Sequence, residues 1–152
     1  MHIKTAFQEM MMKEQAPKNT NHKSAENQIK GKAFLEANSK NPDVVTLPSG
    51  LQYKVIKEGE GVHPTASSIV EVHYHGTLID GTVFDSSVER GKTIEFPLNR
   101  VIKGWTEGVQ LMNPGSKYIF YIPSDLAYGN RETGAIPGGS TLIFEIELFN
   151  VK

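Results

Sequence analysis

From Gly50 to the end of the chain, apolar residues recur at every second position, and this spacing limits the fold more than any other feature. Leu142, Phe144, Ile146 and Leu148 alternate with Glu145 and Glu147, so one face of that segment is apolar and the other charged. Side chains on a strand point alternately to opposite faces, and such a segment is a half-buried strand. Val70, Val72 and Tyr74 alternate in the same way with Glu71 and His73. Leu51, Tyr53 and Val55 alternate with Gln52 and Lys54, and Tyr118, Phe120 and Ile122 share one face. Asp80-Gly81 is a two-residue hairpin signal, with Thr82 to Phe84 starting the return strand. Between the strands, Trp105 to Leu111 is a short helical stretch in which Trp105 and Val109 lie one turn apart. A helix this short needs a sheet to pack on. The expected fold is α+β: an antiparallel sheet of five or six strands folded over one short helix.

The first forty residues have a different texture. Phe7 and Met10 to Met12 cluster, and then Pro17 and the Asn-rich run to Asn21 are expected to interrupt any helix. A helix is expected to resume at about Ser24, with Ser24 as its cap and Asn27 at its third position. Ile29, Ala33, Phe34 and Ala37 form its apolar stripe, and Asn41-Pro42 ends it. Residues 1–46 thus read as a tail, one exposed helix and a linker, and residues 47–152 as the folded domain.

Composition narrows the function. The 16 basic and 17 acidic residues leave a net charge of -1, which offers no footprint for nucleic acid or an anionic membrane. No stretch approaches the roughly 18 apolar residues of a membrane span. The first thirty residues lack a signal peptide's apolar core. Cysteine is absent, which removes disulfides, thiol nucleophiles and thiolate metal ligands and leaves the compartment open.

Few groups look reactive. The chain carries no Gly-x-Ser-x-Gly elbow, phosphate loop or dinucleotide fingerprint. His73 and His75 share a strand face and would need a third ligand to hold a metal, but no second cluster supplies one. They are expected on the solvated face, with no metal and no cofactor. More informative are Tyr74, Phe84, Trp105, Tyr128 and Phe144, aromatic residues on five different elements where strands or helices meet loops. Asp85 follows Phe84 directly, and Tyr128 sits in a long loop, where a phenol can line a wall and offer its hydroxyl to a ligand.

Taken in order, these blocks are distinctive. Val72-His73-Tyr74-His75-Gly76-Thr77-Leu78, Asp80-Gly81 and Phe84-Asp85-Ser86-Ser87 resemble the signature of the FKBP immunophilins. Val101-Ile102-Lys103-Gly104-Trp105, Gly115-Ser116-Lys117, Ile122-Pro123, Ala127-Tyr128-Gly129, Ile136-Pro137 and Leu142-Ile143-Phe144 follow in the family's order. Leu47 to Ile56 and the helix before them are similar to the bacterial Mip and FkpA branch.

The resemblance implies a peptidyl-prolyl cis–trans isomerase. Trp105 would be the floor under the proline ring, with Tyr74, Phe84, Val101, Ile102, Ile136 and Phe144 around it. The Ile102 backbone N–H would bind a substrate or macrolide carbonyl. Asp85 and Tyr128 would stand at the rim, and Arg90 would orient Tyr74 and Asp85. Ile94 stands where an aromatic is common, so a shallower wall is expected there. The loop from Asn130 to Ala135 lacks the family's usual His and the first of two Ile residues.

Implied partners are proline-containing peptides, unfolded proteins and macrolide inhibitors, with the periplasm or outer membrane as the setting and the cytoplasm as the alternative. A module of the same fold that binds peptides without catalysis is the alternative function. In that branch N-terminal helices pair two chains; here Pro17 and the short region upstream favour a monomer over an N-terminal dimer.

Overall fold

The computed structural model describes residues 17–152, with side chains described from Ser24 onward. The methionine cluster, and with it the choice between the expected monomer and an N-terminal dimer, lies outside these residues. Helix α1 (Pro17–Ser39) leads into strands β1 (Val44–Thr46), β2 (Gln52–Lys57), β3 (Ile69–Leu78) and β4 (Val83–Ser86). Then come α2 (Ser87–Arg90), β5 (Ile94–Pro97), a 3-10 turn (Leu98–Arg100), α3 (Lys103–Val109), β6 (Lys117–Ile122), a second 3-10 turn (Ser124–Leu126) and β7 (Leu142–Val151).

All pairings between these strands are antiparallel, in the order β1-β2-β6-β7-β3-β4, with β5 also on β3. The fold class is thus α+β, as expected, but the sheet has seven strands. The stretch read as a linker contains β1. Strand β5 carries only Ile94 and Phe96 on its inward face before Pro97 ends it, too short a run to register as alternation. The turn after β3 also differs. The Leu78 N–H donates to the Thr82 carbonyl and the Gly81 N–H to the Leu78 carbonyl, so three residues make the turn and Gly81 takes φ 92°.

The inward positions of the strands form the core. Val70 and Val72, Phe120 and Ile122, and Leu142, Ile146 and Leu148 are fully buried. Across them lies α3, whose contact face carries Gly104 and Gly108, one turn apart. A Cβ on Gly104 would stand 2.6 Å from Ile122 Cγ2, and one on Gly108 2.5 Å from Phe120 Cε1. Only glycine lets the helix backbone come this close to β6. The helix starts and ends two residues earlier than its apolar spacing suggests, because the Ile102 carbonyl already accepts from the N–H groups of Trp105 and Thr106.

Helix α1 corrects the sequence reading most. It begins at Pro17 and runs through the Asn-rich stretch that was expected to interrupt it, since a first-turn proline lacks only an N–H that the helix does not use. Ser24 lies inside the helix and is buried, so it is not a cap. The stripe facing the domain is Ser24, Asn27, Gln28, Gly31, Phe34, Leu35 and Asn38, while Ile29 is 68% exposed and Ala33 and Ala37 face outward. Gln52, on the polar side of β2, is buried beneath the helix. Its amide donates to the Leu35 carbonyl at 2.8 Å and accepts from Asn38 at 2.8 Å. Phe34 packs against Tyr121, with ring centroids 6.0 Å apart. Val55, expected inward, is exposed instead.

Candidate functional site

Strand β3 is paired along its whole length with β7 on one side, but its other side is shared. Strand β5 covers Ile69 to Val72, and β4 covers His75 to Thr77. Tyr74 falls in the gap between them. Its backbone would be orphaned there, but Ser87, fully buried at the start of α2, fills the place of a strand. The Ser87 hydroxyl accepts from the Tyr74 N–H at 2.7 Å and lies 3.3 Å from its carbonyl. His73 Nδ1 is 2.9 Å from the same hydroxyl, and His75 Nδ1 is 2.8 Å from Ser86 Oγ. The two histidines thus stand partly exposed on the face opposite Val72 and Tyr74, each against a serine hydroxyl of this latch. No group of three or more potential ligands gathers with them among the described residues.

A cavity of about 840 Å³ opens over this gap. All eleven side chains singled out from the sequence line it: Tyr74, Phe84, Asp85, Arg90, Ile94, Val101, Ile102, Trp105, Tyr128, Ile136 and Phe144. Trp105, almost fully buried, is surrounded edge-on by three rings. Its centroid lies 5.4 Å from Tyr74, 5.3 Å from Phe96 and 5.2 Å from Phe144, with interplanar angles of 77°, 82° and 89°. Phe84 meets Phe144 at 5.3 Å and 85°. Edge-to-face contact is the arrangement aromatic quadrupoles favour, so the box holds its own shape. Gly76 makes it possible: a Cβ there would lie 2.7 Å from Phe84 Cζ and 2.8 Å from Phe144 Cε1.

Phe96 was missed in the sequence. It supplies an aromatic ring on the same strand face as Ile94, on the side where a shallower wall was expected. Arg100, Ala127, Arg131, Thr133, Gly134 and Ala135 also line the cavity and carry no periodic signal that could have pointed to them.

One polar cluster closes the rim. The Tyr74 hydroxyl donates to Asp85 Oδ2 at 2.5 Å, Arg90 Nη1 donates to Asp85 Oδ1 at 2.5 Å, and Arg90 Nη2 donates to the Tyr74 hydroxyl at 3.0 Å. The guanidinium carbon also stands 5.8 Å from the centre of the Tyr74 ring. Helix α2 brings Arg90 back over the strand it has just left. Ser86 caps it by accepting from the Glu89 N–H, and Gly91 ends it at φ 72°.

Burial works against the charge of Asp85, but the hydrogen bonds from Tyr74 and Arg90 outweigh it and hold the carboxyl below its usual range. Burial, and then the bond to Asp85, push the Tyr74 hydroxyl up, and burial with the charge of Asp85 does the same to Tyr128. Across the ordinary range, then, Asp85 is an anion and both phenols are neutral. Other polar groups are unspent. Among the described residues, the Tyr128 hydroxyl and the Ile102 backbone N–H make no hydrogen bond, and the buried Trp105 Nε1 has no partner.

The family model described as FKBP-type peptidyl-prolyl cis-trans isomerase matches residues 60–149, and one described as the domain amino terminal to it matches residues 1–55. The chain belongs to the FKBP-type peptidyl-prolyl cis–trans isomerase family. It is 55% identical over 129 residues to FkpA of Aeromonas hydrophila, covering 85% of this chain and 48% of that one. It is 53% identical over 133 residues to the outer membrane protein MIP of Legionella longbeachae, covering 87% and 57%. The crystal structure of FkpA from Escherichia coli superimposes with a TM-score of 0.89 at 41% identity, covering 99% of this chain and 71% of that one. The chain thus spans about half the length of these two curated relatives.

Proposed function

We infer that this chain accelerates rotation about Xaa-Pro peptide bonds, and that the cavity over Trp105 is where it does so. The observation that carries the reading is the box of five aromatic rings around one opening, with unspent hydrogen-bond donors in its lining. Rotation about a peptide bond has a barrier of about 18–20 kcal/mol, because planarity preserves conjugation. At the twisted transition state that conjugation is lost and the carbonyl becomes less dipolar. A dry aromatic cleft therefore favours the twisted amide over the planar one, which water solvates better.

In this reading Trp105 is the floor for the pyrrolidine ring, and Tyr74, Phe84, Ile94, Val101, Ile136 and Phe144 are its walls. The Ile102 N–H and the Tyr128 hydroxyl bind carbonyls of the peptide and hold it while it turns. Asp85 is fully engaged by Tyr74 and Arg90, so its part is to fix the rim as an anion without moving a proton.

Extended further, the reading includes binding of macrolides in the same cavity and assistance to unfolded proteins that expose prolines. The location we propose is the periplasm or outer membrane, and the name of the Legionella longbeachae relative supports the second of these. No helix among the described residues is long and apolar enough to cross a membrane.

A protease-free isomerisation assay on a short proline peptide tests the core of the proposal. Acceleration by the chain that falls in Asp85→Ala supports both the reaction and the site. Acceleration that Asp85→Ala keeps removes the role of Asp85. A folded chain that gives no acceleration overturns the reading.

A further inference from the structure

One wall of the cavity is a loop with little core of its own. Between Tyr128 and β7, residues 129–139 contribute Ile136 to the interior, while Arg131, Thr133, Gly134 and Ala135 are exposed. The loop closes on itself in two places. The Gly139 N–H donates to the Gly129 carbonyl at 2.8 Å, and Thr133 and Ile136 exchange backbone bonds of 2.9 Å.

Its ends are held by the Gly129 N–H on the Ser124 carbonyl at 2.8 Å and by Ser140 Oγ on the Pro137 carbonyl at 2.6 Å, and three further bonds run to α1, which belongs to the part of the chain before the isomerase-like domain. Ser24 Oγ donates to the Asn130 carbonyl at 3.1 Å, Asn27 Nδ2 donates to the Gly138 carbonyl at 2.9 Å, and Gln28 Nε2 donates to Asn130 Oδ1. Beneath these bonds the two backbones nearly touch. A Cβ on Gly138 would stand 2.2 Å from the Asn130 carbonyl oxygen and 2.5 Å from Ser24 Oγ, and one on Gly139 would stand 2.3 Å from the Ser24 carbonyl oxygen. About two turns along the helix from Ser24, a Cβ on Gly31 would meet Thr141 Oγ1 at 2.2 Å, just before β7 begins. The contact is made of directional hydrogen bonds and glycines, so it fixes the loop in one register, which an apolar contact would not do.

We propose that α1 is a positioning element of the pocket: Ser24, Asn27 and Gln28 hold residues 129–139 so that Tyr128 and Ile136 stand as its wall. An irregular loop loses conformational freedom when it is ordered, and these three bonds offset part of that cost before substrate arrives. Without them the competent arrangement is a smaller fraction of the population, and apparent substrate affinity falls by that fraction. The activity arm of this proposal rests on the isomerase reading, whereas the structural arm does not.

The test uses the full chain with Asn27→Ala and Gln28→Ala together, both half-exposed positions. The control is Asn38→Ala, on the same helix face but bonded to Gln52 and remote from the loop. Amide hydrogen exchange is followed residue by residue, and KM and kcat are measured on a short proline peptide. In the double variant, exchange of the 129–139 amides accelerates and KM rises roughly threefold to tenfold, with kcat changed much less. In Asn38→Ala both stay at their wild-type values. Wild-type exchange and KM in the double variant overturn the proposal. Equal loosening of the loop by Asn38→Ala also overturns it, because the effect then belongs to helix stability in general. A wild-type chain without activity sinks the isomerase reading alone, and the exchange data still decide whether α1 braces the loop.

Discussion

Gly76→Ala tests the pocket where its walls meet. Gly76 lies on β3 with Phe144 of β7 on one side and Asp85 of β4 on the other. Its φ is not positive, so alanine suits the backbone, and loss of freedom in the unfolded chain alone would stabilise by about 0.4–1 kcal/mol. Against this stands the Cβ at 2.7 Å from Phe84 Cζ and 2.8 Å from Phe144 Cε1, where two rings must recede by several tenths of an ångström. Overpacking of this kind costs about 1–3 kcal/mol, which leaves a net loss of about 0–2.5 kcal/mol. For a chain of this size, the midpoint of that range lowers Tm by about 2–5 °C.

The two rings do not share the displacement equally. Phe144 is edge-on to Trp105 and Phe84 and tilted against Tyr74, whereas Phe84 borders the open cavity. Phe84 therefore yields and moves into the space a proline would occupy. A misplacement of about 1 Å can cost up to about a hundredfold in rate, and we expect kcat/KM to fall about tenfold. Circular dichroism melting and the isomerisation assay read the two effects separately. In a double-mutant cycle, Phe84→Leu removes the obstructing ring and should cancel most of the stability loss. Wild-type Tm together with wild-type kcat/KM in Gly76→Ala would refute the argument, since the walls would then not be fixed by one another.

Three further outcomes follow from the same geometry. Arg90→Ala removes one donor to Asp85, a carboxylate whose folded pKa lies below its ordinary 3.8. The stability this bond contributes is present at neutral pH and lost as pH falls through the folded pKa. The gap between variant and wild type, small for so exposed a pair, should therefore close in acid melts. Tyr128→Phe deletes a hydroxyl without a partner among the described residues, so stability should stay within about 0.5 kcal/mol while kcat/KM falls about threefold to tenfold. Equal activity in Tyr128→Phe would mean that the hydroxyl does not touch the peptide. Gln52→Leu removes a donor to the Leu35 carbonyl and the acceptor of the Asn38 amide beneath α1 and should cost about 1–3 kcal/mol by urea denaturation.

The sheet and the aromatic floor were legible because both are written in apolar spacing. Leu142, Phe144, Ile146 and Leu148 all turn inward, as their alternation requires, and so do Tyr118, Phe120 and Ile122. Tyr74 could be placed on the inward face by the same argument. Its exposure to a ligand could not, because that depends on β4 and β5 sharing one edge of β3, and β5 is too short to leave a periodic signal. The latch is hidden for a similar reason. Ser86 and Ser87 look like an ordinary turn, and only the paired strands show that Ser87 replaces a missing backbone partner for Tyr74.

Helix α1 shows the opposite failure, and its cause is informative. Apolar periodicity picked out Ile29, Ala33, Phe34 and Ala37, and of these only Phe34 turns toward the domain. The face that docks is written in Ser24, Asn27, Gln28 and Asn38, with Gly31 between them, residues that a hydrophobic pattern scores as solvent-facing or neutral. A polar stripe can bury itself only if the opposite surface presents matched acceptors and donors at fixed positions. The Asn130 and Gly138 carbonyls and the Gln52 amide are such positions. They come together only after the sheet has formed, so no local window of sequence contains them. The same dependence makes the contact specific. An apolar helix face tolerates sliding along a sheet, but this one fits in a single register, with one end on β2 and the other on the wall of the pocket.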